Sequence, residues 1–196
     1  MKIKKTTNSL VSYIKLFIDN DIFEKDILNA ASLFSNILLN KNNFLVKEND
    51  ICNYFCFIEN GILQHSITVL NEEKTSYLAL KNSVTTSLSS FLNKVPSRKS
   101  IKAISDCNLW VIDFETFSDL VKNNKGFNQF YSKLIEKQIC LIDDYRIDLL
   151  TLTPEERYKK LLVNETKLLQ EVPLHYLASF LGISTRHMSR IRKNIK

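Results

Sequence analysis

Apolar positions along the chain fall into three textures. From Leu10 to about Leu38 they recur at helical spacing, with Leu10, Ile14, Phe17 and Ile18 on one segment and Ile22, Phe23, Ile27, Ala30, Ala31 and Phe34 on the next. This predicts two short helices divided at Asn20-Asp21, where Asp21 and Glu24 offer a cap and an acidic first turn. From Asn43 to Asp113 short β-branched and aromatic runs alternate with polar breaks, which predicts strands. Phe44-Leu45-Val46 precedes the turn Glu48-Asn49-Asp50, and Tyr54 to Ile58 precedes Glu59-Asn60-Gly61, whose Asn-Gly is a hairpin signal answered by Ile62 to Leu70. Asn71-Glu72-Glu73-Lys74 reads as the next turn, Tyr77 to Leu80 as a strand and Lys81-Asn82-Ser83 as a break. After the polar stretch Thr85 to Ser90 and the apolar pair Phe91-Leu92 come two further strands, Ile101–Ile104 and Leu109–Ile112. Many short antiparallel strands imply a sandwich or roll.

From Phe114 the helical period returns. Phe117, Leu120 and Val121 mark one helix, and a longer one carries apolar or bulky residues from Phe127 to Leu149. Two neighbouring seams of this helix are apolar, 127/131/134/138/141/145 and 131/135/138/142/145/149. One can pack on the β-domain and the other on a twin helix, which makes Tyr131, Leu134, Gln138, Leu141, Ile142 and Tyr145 the candidate pairing residues. One-sided packing in a monomer remains the alternative. Thr153-Pro154-Glu155-Glu156 sets an N-cap, a Pro at the first helical position and a Glu at the third, so a boundary belongs there. The expected organisation is residues 1–125 as a β-rich domain with N-terminal helices, 126–152 as the long helix and 153–196 as an all-α unit.

Within the last unit, Leu174, Leu177, Ala178 and Leu181 line one face of a short helix. Gly182 accepts a left-handed turn, Ile183 plugs the core, and Ser184 caps a second helix whose Met188 and Ile191 face inward. This is a helix-turn-helix pattern. In such a motif the second helix enters the major groove. Arg186 and Arg190 are then the candidates for reading guanine, with Thr185 and Ser189 assisting; Arg192, Lys193 and Lys196 neutralise phosphate, and Ser184 sits at the helix start.

Charge adds to this pattern. Of 27 basic and 21 acidic side chains, residues 1–150 hold 18 and 17 and residues 151–196 hold 9 and 4, while from Pro173 onward five bases stand with no acid. That asymmetry suits a nucleic-acid partner, although charge alone leaves a solvated basic tail equally open. Four cysteines without a C-x-x-C pair fit a reducing compartment, and Cys52 and Cys56 read as core thiols rather than redox or cluster ligands. There is no apolar run of membrane-span length, and the basic start Met1-Lys2-Ile3-Lys4-Lys5 leads into polar residues, so a soluble, cytoplasmic protein is expected. His65 stands alone in the β-domain, and His175 and His187 flank the helix-turn-helix as phosphate contacts or solvated side chains. No catalytic triad, P-loop or dinucleotide glycine motif occurs, so no enzyme, metal or cofactor is expected.

The order of a β-rich domain, a long helix and a helix-turn-helix resembles the Crp/Fnr family of bacterial transcription regulators. The likeness is clearest in Phe57-Ile58-Glu59-Asn60-Gly61, Ser90 to Ser97, Ala103 to Ile112, and Tyr176 to Ser184 with Ser189-Arg190-Ile191-Arg192-Lys193. It implies an α+β chain: N-terminal helices and an antiparallel, jelly-roll-like β-roll of the cyclic-nucleotide-binding fold, a long dimerisation helix, and a C-terminal all-α helix-turn-helix domain. It also implies a homodimer on an inverted repeat, with double-stranded DNA, a second copy and RNA polymerase as partners and no membrane.

The sequence departs from cyclic-AMP-binding members. These hold the phosphate with a Gly-Glu-Leu helix start and an Arg-Ser/Thr-Ala segment, whereas this chain has Thr85-Thr86-Ser87-Leu88-Ser89-Ser90, and Ser97 falls where the Arg belongs. Arg98 is one position off, which in a strand turns it to the other face. Thr85, Thr86, Ser87, Ser89 and Arg98 remain the candidate effector-pocket residues, the effector is unassigned, and a cyclic-AMP response is not expected. The helix-turn-helix is followed by no β-hairpin wing before Lys196, so wing contacts are not expected. The competing reading is a small-molecule or protein-contact sensor whose helix-turn-helix is non-functional.

Overall fold

The computed structural model describes residues 8–18 and 21–194, the Asp21 side chain excepted. The basic start at Met1–Lys5, the expected break at Asn20 and the expected phosphate contact of Lys196 lie outside the described residues. Helix α1 (Asn8–Lys15) and α2 (Glu24–Ser32) are amphipathic, as the spacing predicts, and bury Leu10, Ile14, Ile27, Ala30 and Ala31. One turn of 3-10 helix at Asp21–Phe23 leads into α2, whose N-cap is Phe23 and whose first turn carries the expected acid Glu24; the expected cap by the Asp21 side chain lies outside the described residues.

Eight strands follow: β1 (Ser35–Leu39), β2 (Phe44–Val46), β3 (Tyr54–Asn60), β4 (Leu63–Val69), β5 (Glu72–Ala79), β6 (Ser83–Thr85), β7 (Ser100–Ala103) and β8 (Cys107–Asp113), with α3 (Leu88–Asn93) between β6 and β7. They form two antiparallel four-stranded sheets, ordered β1-β8-β3-β6 and β2-β7-β4-β5. The fold is therefore the expected α+β class with an antiparallel roll, followed by a long helix and C-terminal helices.

Three local expectations are corrected. Ser35–Leu39, read as the end of a helical stretch, is an edge strand; it pairs with β8 from Ser35 opposite Val111 to Leu39 opposite Cys107, and this pairing overrides a local pattern compatible with either period. Thr85 and its neighbours, read as a polar break, form β6 on β3 and then α3. The turn placed at Asn71–Lys74 is tighter: Leu70 and Asn71 take φ of 51° and 63°, and pairing resumes with Val69 opposite Glu72, as in a two-residue hairpin with both central residues left-handed.

Helix α4 (Phe114–Asn123) is capped by Asp113, which accepts from the Thr116 N–H (2.8 Å). Helix α5 (Lys125–Thr151) is capped by Asn124, which accepts from the Phe127 N–H (2.8 Å). The core between the sheets extends through Phe91, Phe117, Phe127, Phe130 and Leu134, so the first part of α5 is fastened to the roll. Burial of each such side chain stabilises by roughly 1.5–3 kcal/mol. The last four helices are α6 (Pro154–Asn164), α7 (Thr166–Glu171), α8 (Leu174–Phe180) and α9 (Thr185–Asn194). Thr153 and Glu156 form the capping box that the sequence predicts. Among the described residues no helix is long and apolar enough to cross a membrane.

Gly61 closes the β3–β4 connection at φ +97°, and a Cβ there would lie 2.6 Å from both the Asp106 carbonyl oxygen and Cys107 Sγ. Gly61→Ala is expected to destabilise by at least about 1–2 kcal/mol for the backbone conformation alone, and by more for the overlap. Urea denaturation measures it.

Candidate nucleic-acid interface

Helices α8 and α9 meet at a turn whose hydrogen bonds explain the Gly182 position. The Ile183 N–H donates to the Ala178 carbonyl (3.0 Å) and the Gly182 N–H to the Ser179 carbonyl (3.1 Å), with Gly182 at φ 71°: a Schellman closure of α8. Ser184 then accepts from the His187 N–H (3.2 Å) and opens α9. Leu177, Ala178, Leu181, Met188 and Ile191 are buried together with Tyr158, Leu168 and Val172, while Ile183 is half-buried against them. This packing fixes the rotation of α9. Ser184, Thr185, Arg186, Ser189, Arg190, Arg192 and Lys193 are all exposed, on a helix without an acidic residue.

Two side chains on this helix have partners. Ser189 donates its hydroxyl to the Thr185 carbonyl (2.9 Å). His187 Nε2 lies 2.8 Å from Glu155 Oε1, joining α9 to α6, and this bond, helped by the Arg190 charge, holds the Glu155 carboxyl below its ordinary range. Arg157 reaches from α6 to the turn, its Nη2 donating to the Leu181 carbonyl (3.0 Å).

The unit does not stand apart from the roll. Ile62, Leu78 and Ile104, on the outer face of the β2-β7-β4-β5 sheet, share the hydrophobic cluster of the C-terminal helices. The Thr75 N–H of β5 donates to Ser179 Oγ of α8 (2.9 Å), and Thr75 Oγ1 accepts from Gln64 Nε2 (2.9 Å). Tyr145 of α5 stacks on Phe180 (5.4 Å, 14° between planes), and its hydroxyl donates to the Phe180 carbonyl (3.4 Å).

That stacking engages Tyr145, one of the candidate pairing residues of α5, within its own chain. Leu134 is buried in the core of its own chain, Tyr131 is half-buried with its ring edge-on to Phe117 (5.0 Å), and Tyr145 is taken up by Phe180. Gln138 is half-buried on the same side, and Leu141 is exposed. Among the exposed apolar residues, which also include Ile147 and Leu150, Ile139 (62 % exposed), Ile142 (65 %) and Leu149 (46 %) continue from half-buried Ile135 at steps of four, three and seven residues. The open stripe thus lies about 100° around the helix, one residue on, from the one that begins at Leu134.

The effector-pocket candidates are divided in the same way. Thr85 is buried, its Oγ1 2.6 Å from His65 Nε2; Ser87 is buried, its Oγ 2.8 Å from Ser97 Oγ. Thr86 donates to the Tyr54 carbonyl (2.9 Å), and Ser89 and Arg98 are exposed. The half-buried cation beside Ser97 is Lys99, in the bend that leads into β7, which the sequence pattern did not single out. Burial lowers its pKa, and its charge adds to the burial that drives the His65 pKa well below 6.5. The Cys56 and Cys107 thiols are pushed up chiefly by burial, as befits core residues.

Residues 37–124 match the family described as the cyclic nucleotide-binding domain. No curated protein matches the sequence. Among solved structures, the catabolite activator protein of Thermus thermophilus is 19 % identical, with 93 % of this chain and 86 % of that one covered at a TM-score of 0.57. A candidate transcriptional regulator of the crp/fnr family from Eubacterium rectale is 17 % identical, with 93 % and 87 % covered at 0.66. The c-di-GMP responsive global regulator CLP of Xanthomonas campestris is 14 % identical, with 87 % and 90 % covered at 0.64.

His65 gives a pH test. Its folded pKa is depressed, so the unfolded chain takes up a proton near pH 6.5 that the folded chain refuses. Stability is expected to be complete above that pH and to fall as pH drops below it. His65→Asn is expected to show a shallower loss between about pH 6.5 and 5 in urea titrations. The roll is that of a cyclic nucleotide-binding domain, and the chain as a whole has the fold of Crp/Fnr-type regulators.

Proposed function

We propose that the chain is a sequence-specific DNA-binding transcription regulator of Crp/Fnr type, acting as a cytoplasmic homodimer on an inverted repeat and not responding to cyclic AMP. The observation that carries this reading is α9: an acid-free helix, locked in rotation by Met188 and Ile191, with all the expected DNA contacts among the described residues, Ser184 to Lys193, exposed. On this reading residues 153–196 are the DNA-binding domain, 126–152 the dimerisation helix and 1–125 the sensor. Arg186 and Arg190 read guanine edges by paired donation, assisted by Thr185 and Ser189, while Arg192 and Lys193 hold phosphate and Ser184 fixes the helix start. The second copy lies along Ile135, Ile139, Ile142 and Leu149 of α5. RNA polymerase is the protein partner that the reading implies.

The roll's interior favours an effector other than cyclic AMP. Ser97, which stands where the resemblance expects the phosphate-binding Arg, is bonded to Ser87, and the half-buried cation nearby is Lys99, without the fork of a guanidinium. The fold is compatible with a different ligand, since the Xanthomonas campestris regulator is c-di-GMP responsive.

Selection from a random duplex pool at about 150 mM salt is expected to enrich an inverted repeat, with about 10³–10⁵ of affinity lost between about 50 and 200 mM. Arg186→Ala or Arg190→Ala is expected to weaken specific binding by about 1–3 kcal/mol and random DNA far less. No enrichment, with or without cell extract, would favour the protein-contact sensor instead. Ile142→Asp is expected to give a monomer by sedimentation and to lose about 10²–10⁴ of operator affinity.

A further inference from the structure

The contact between β5 and α8 combines apolar packing at Leu78 with a polar patch at Thr75 and an acidic residue, Glu73, two positions further along the strand. Gln64, 2 % exposed, gives its Nε2 to Thr75, but its Oε1 is buried without a hydrogen-bond partner on the face that the C-terminal helices cover. Such an orphaned acceptor weakens an interface. Thr75 in turn holds α8 through one hydrogen bond, from its N–H to Ser179 Oγ. Along the strand, Glu73 lies two residues from Thr75 and so on the same face; along the helix, Tyr176 lies three residues before Ser179 and so on the same side. Glu73 and Tyr176 therefore face each other, in keeping with the rise that the Glu73 charge adds to that of burial on the Tyr176 phenol. Glu72, on the opposite face, is paired with Lys74.

In a helix-turn-helix the first helix crosses the nucleic-acid backbone while the second enters the groove. With α8 docked, a carboxylate from the roll stands beside that crossing helix, where phosphates must approach. We infer that the β5–α8 contact is an autoinhibitory latch: Thr75 and Ser179 hold the helix-turn-helix against the roll, Glu73 repels the DNA backbone, and binding requires α8 to leave β5. The latch rests on the DNA-binding reading above and adds its regulation. Apolar packing of Leu78 against Leu177, Ala178 and Leu181 holds part of the contact, while the orphaned Gln64 acceptor and the single Thr75–Ser179 hydrogen bond weaken it enough to suit a dock that must release.

The test uses the full chain and a random-sequence duplex at fixed salt, read by fluorescence anisotropy. Ser179→Ala removes the bond without altering charge and is expected to tighten binding about three- to tenfold. Glu73→Gln is expected to tighten it by a similar factor. Because Glu73 stands beside α8 only while the dock is closed, its removal is expected to add little once Ser179→Ala has opened the dock, so the double variant gains little beyond Ser179→Ala alone. Ser179→Ala binding like the parent chain overturns the latch, as does full additivity, which would mean that Glu73 repels DNA without any docking. A parent chain and variants that all fail to bind DNA overturn the regulator reading itself, a result distinct from either. Glu73 is an exposed strand residue, so its variant keeps the test valid should the α8 variant misfold.

Discussion

A continuous chain of aromatic rings fastens the long helix to the roll, and the arrangement of the remaining surfaces depends on it. Phe117 lies 5.2 Å from Phe55 and Phe91, 5.7 Å from Phe127 and 5.0 Å from Tyr131, and Phe127 leads through Phe130 to Phe17 and Tyr13. Rings at these spacings bury large areas and add edge-to-face attraction. They leave α5 a single rotational setting at its start. Since the helix is continuous to Thr151, that setting decides which residues fifteen positions later are covered and which stay open.

Two consequences follow for the second half of α5. Its inner side meets the C-terminal helices through Tyr145 and Phe180, and its remaining surface presents isoleucines and leucines to solvent. The helix therefore touches the roll, the helix-turn-helix and open solvent at once. Its contact with the roll and its stacking on Phe180, at the end of α8, are carried by one continuous helix. This gives the proposed regulator a mechanical route between a filled or repacked roll and the helices that would meet DNA.

Polar chemistry inside the roll contrasts with its aromatic walls. His65 and Thr85, and Ser87 and Ser97, satisfy one another across the interior, but His65 Nδ1 is buried with no hydrogen-bond partner. Lys99 contributes a charge partly withdrawn from water. Groups of this kind reduce stability compared with an apolar filling, so their presence favours a roll that exchanges partners over one that merely packs.

Local patterns carried much of the architecture. The helical period of 10–34 and 114–149, the Asn60-Gly61 hairpin, the capping box at Thr153 and the turn at Gly182 depend on neighbours within a few residues, and short-range sterics and hydrogen bonding decide them. The exposed basic face of α9 was legible for the same reason: Met188 and Ile191 fix inside from outside by spacing alone. Other features depend on partners distant in the chain. Strand β1 exists because β8 lies beside it; Arg98 stands exposed while Lys99 is half-buried in the bend that leads into β7; Leu134 and Tyr145 leave the open face of α5 because the roll and Phe180 claim them. The sequence by itself determined the elements and the chemistry of the last helix. Only the tertiary structure decided which face each element shows and that α8 rests on β5, because those outcomes follow from competition among distant surfaces for the same buried area.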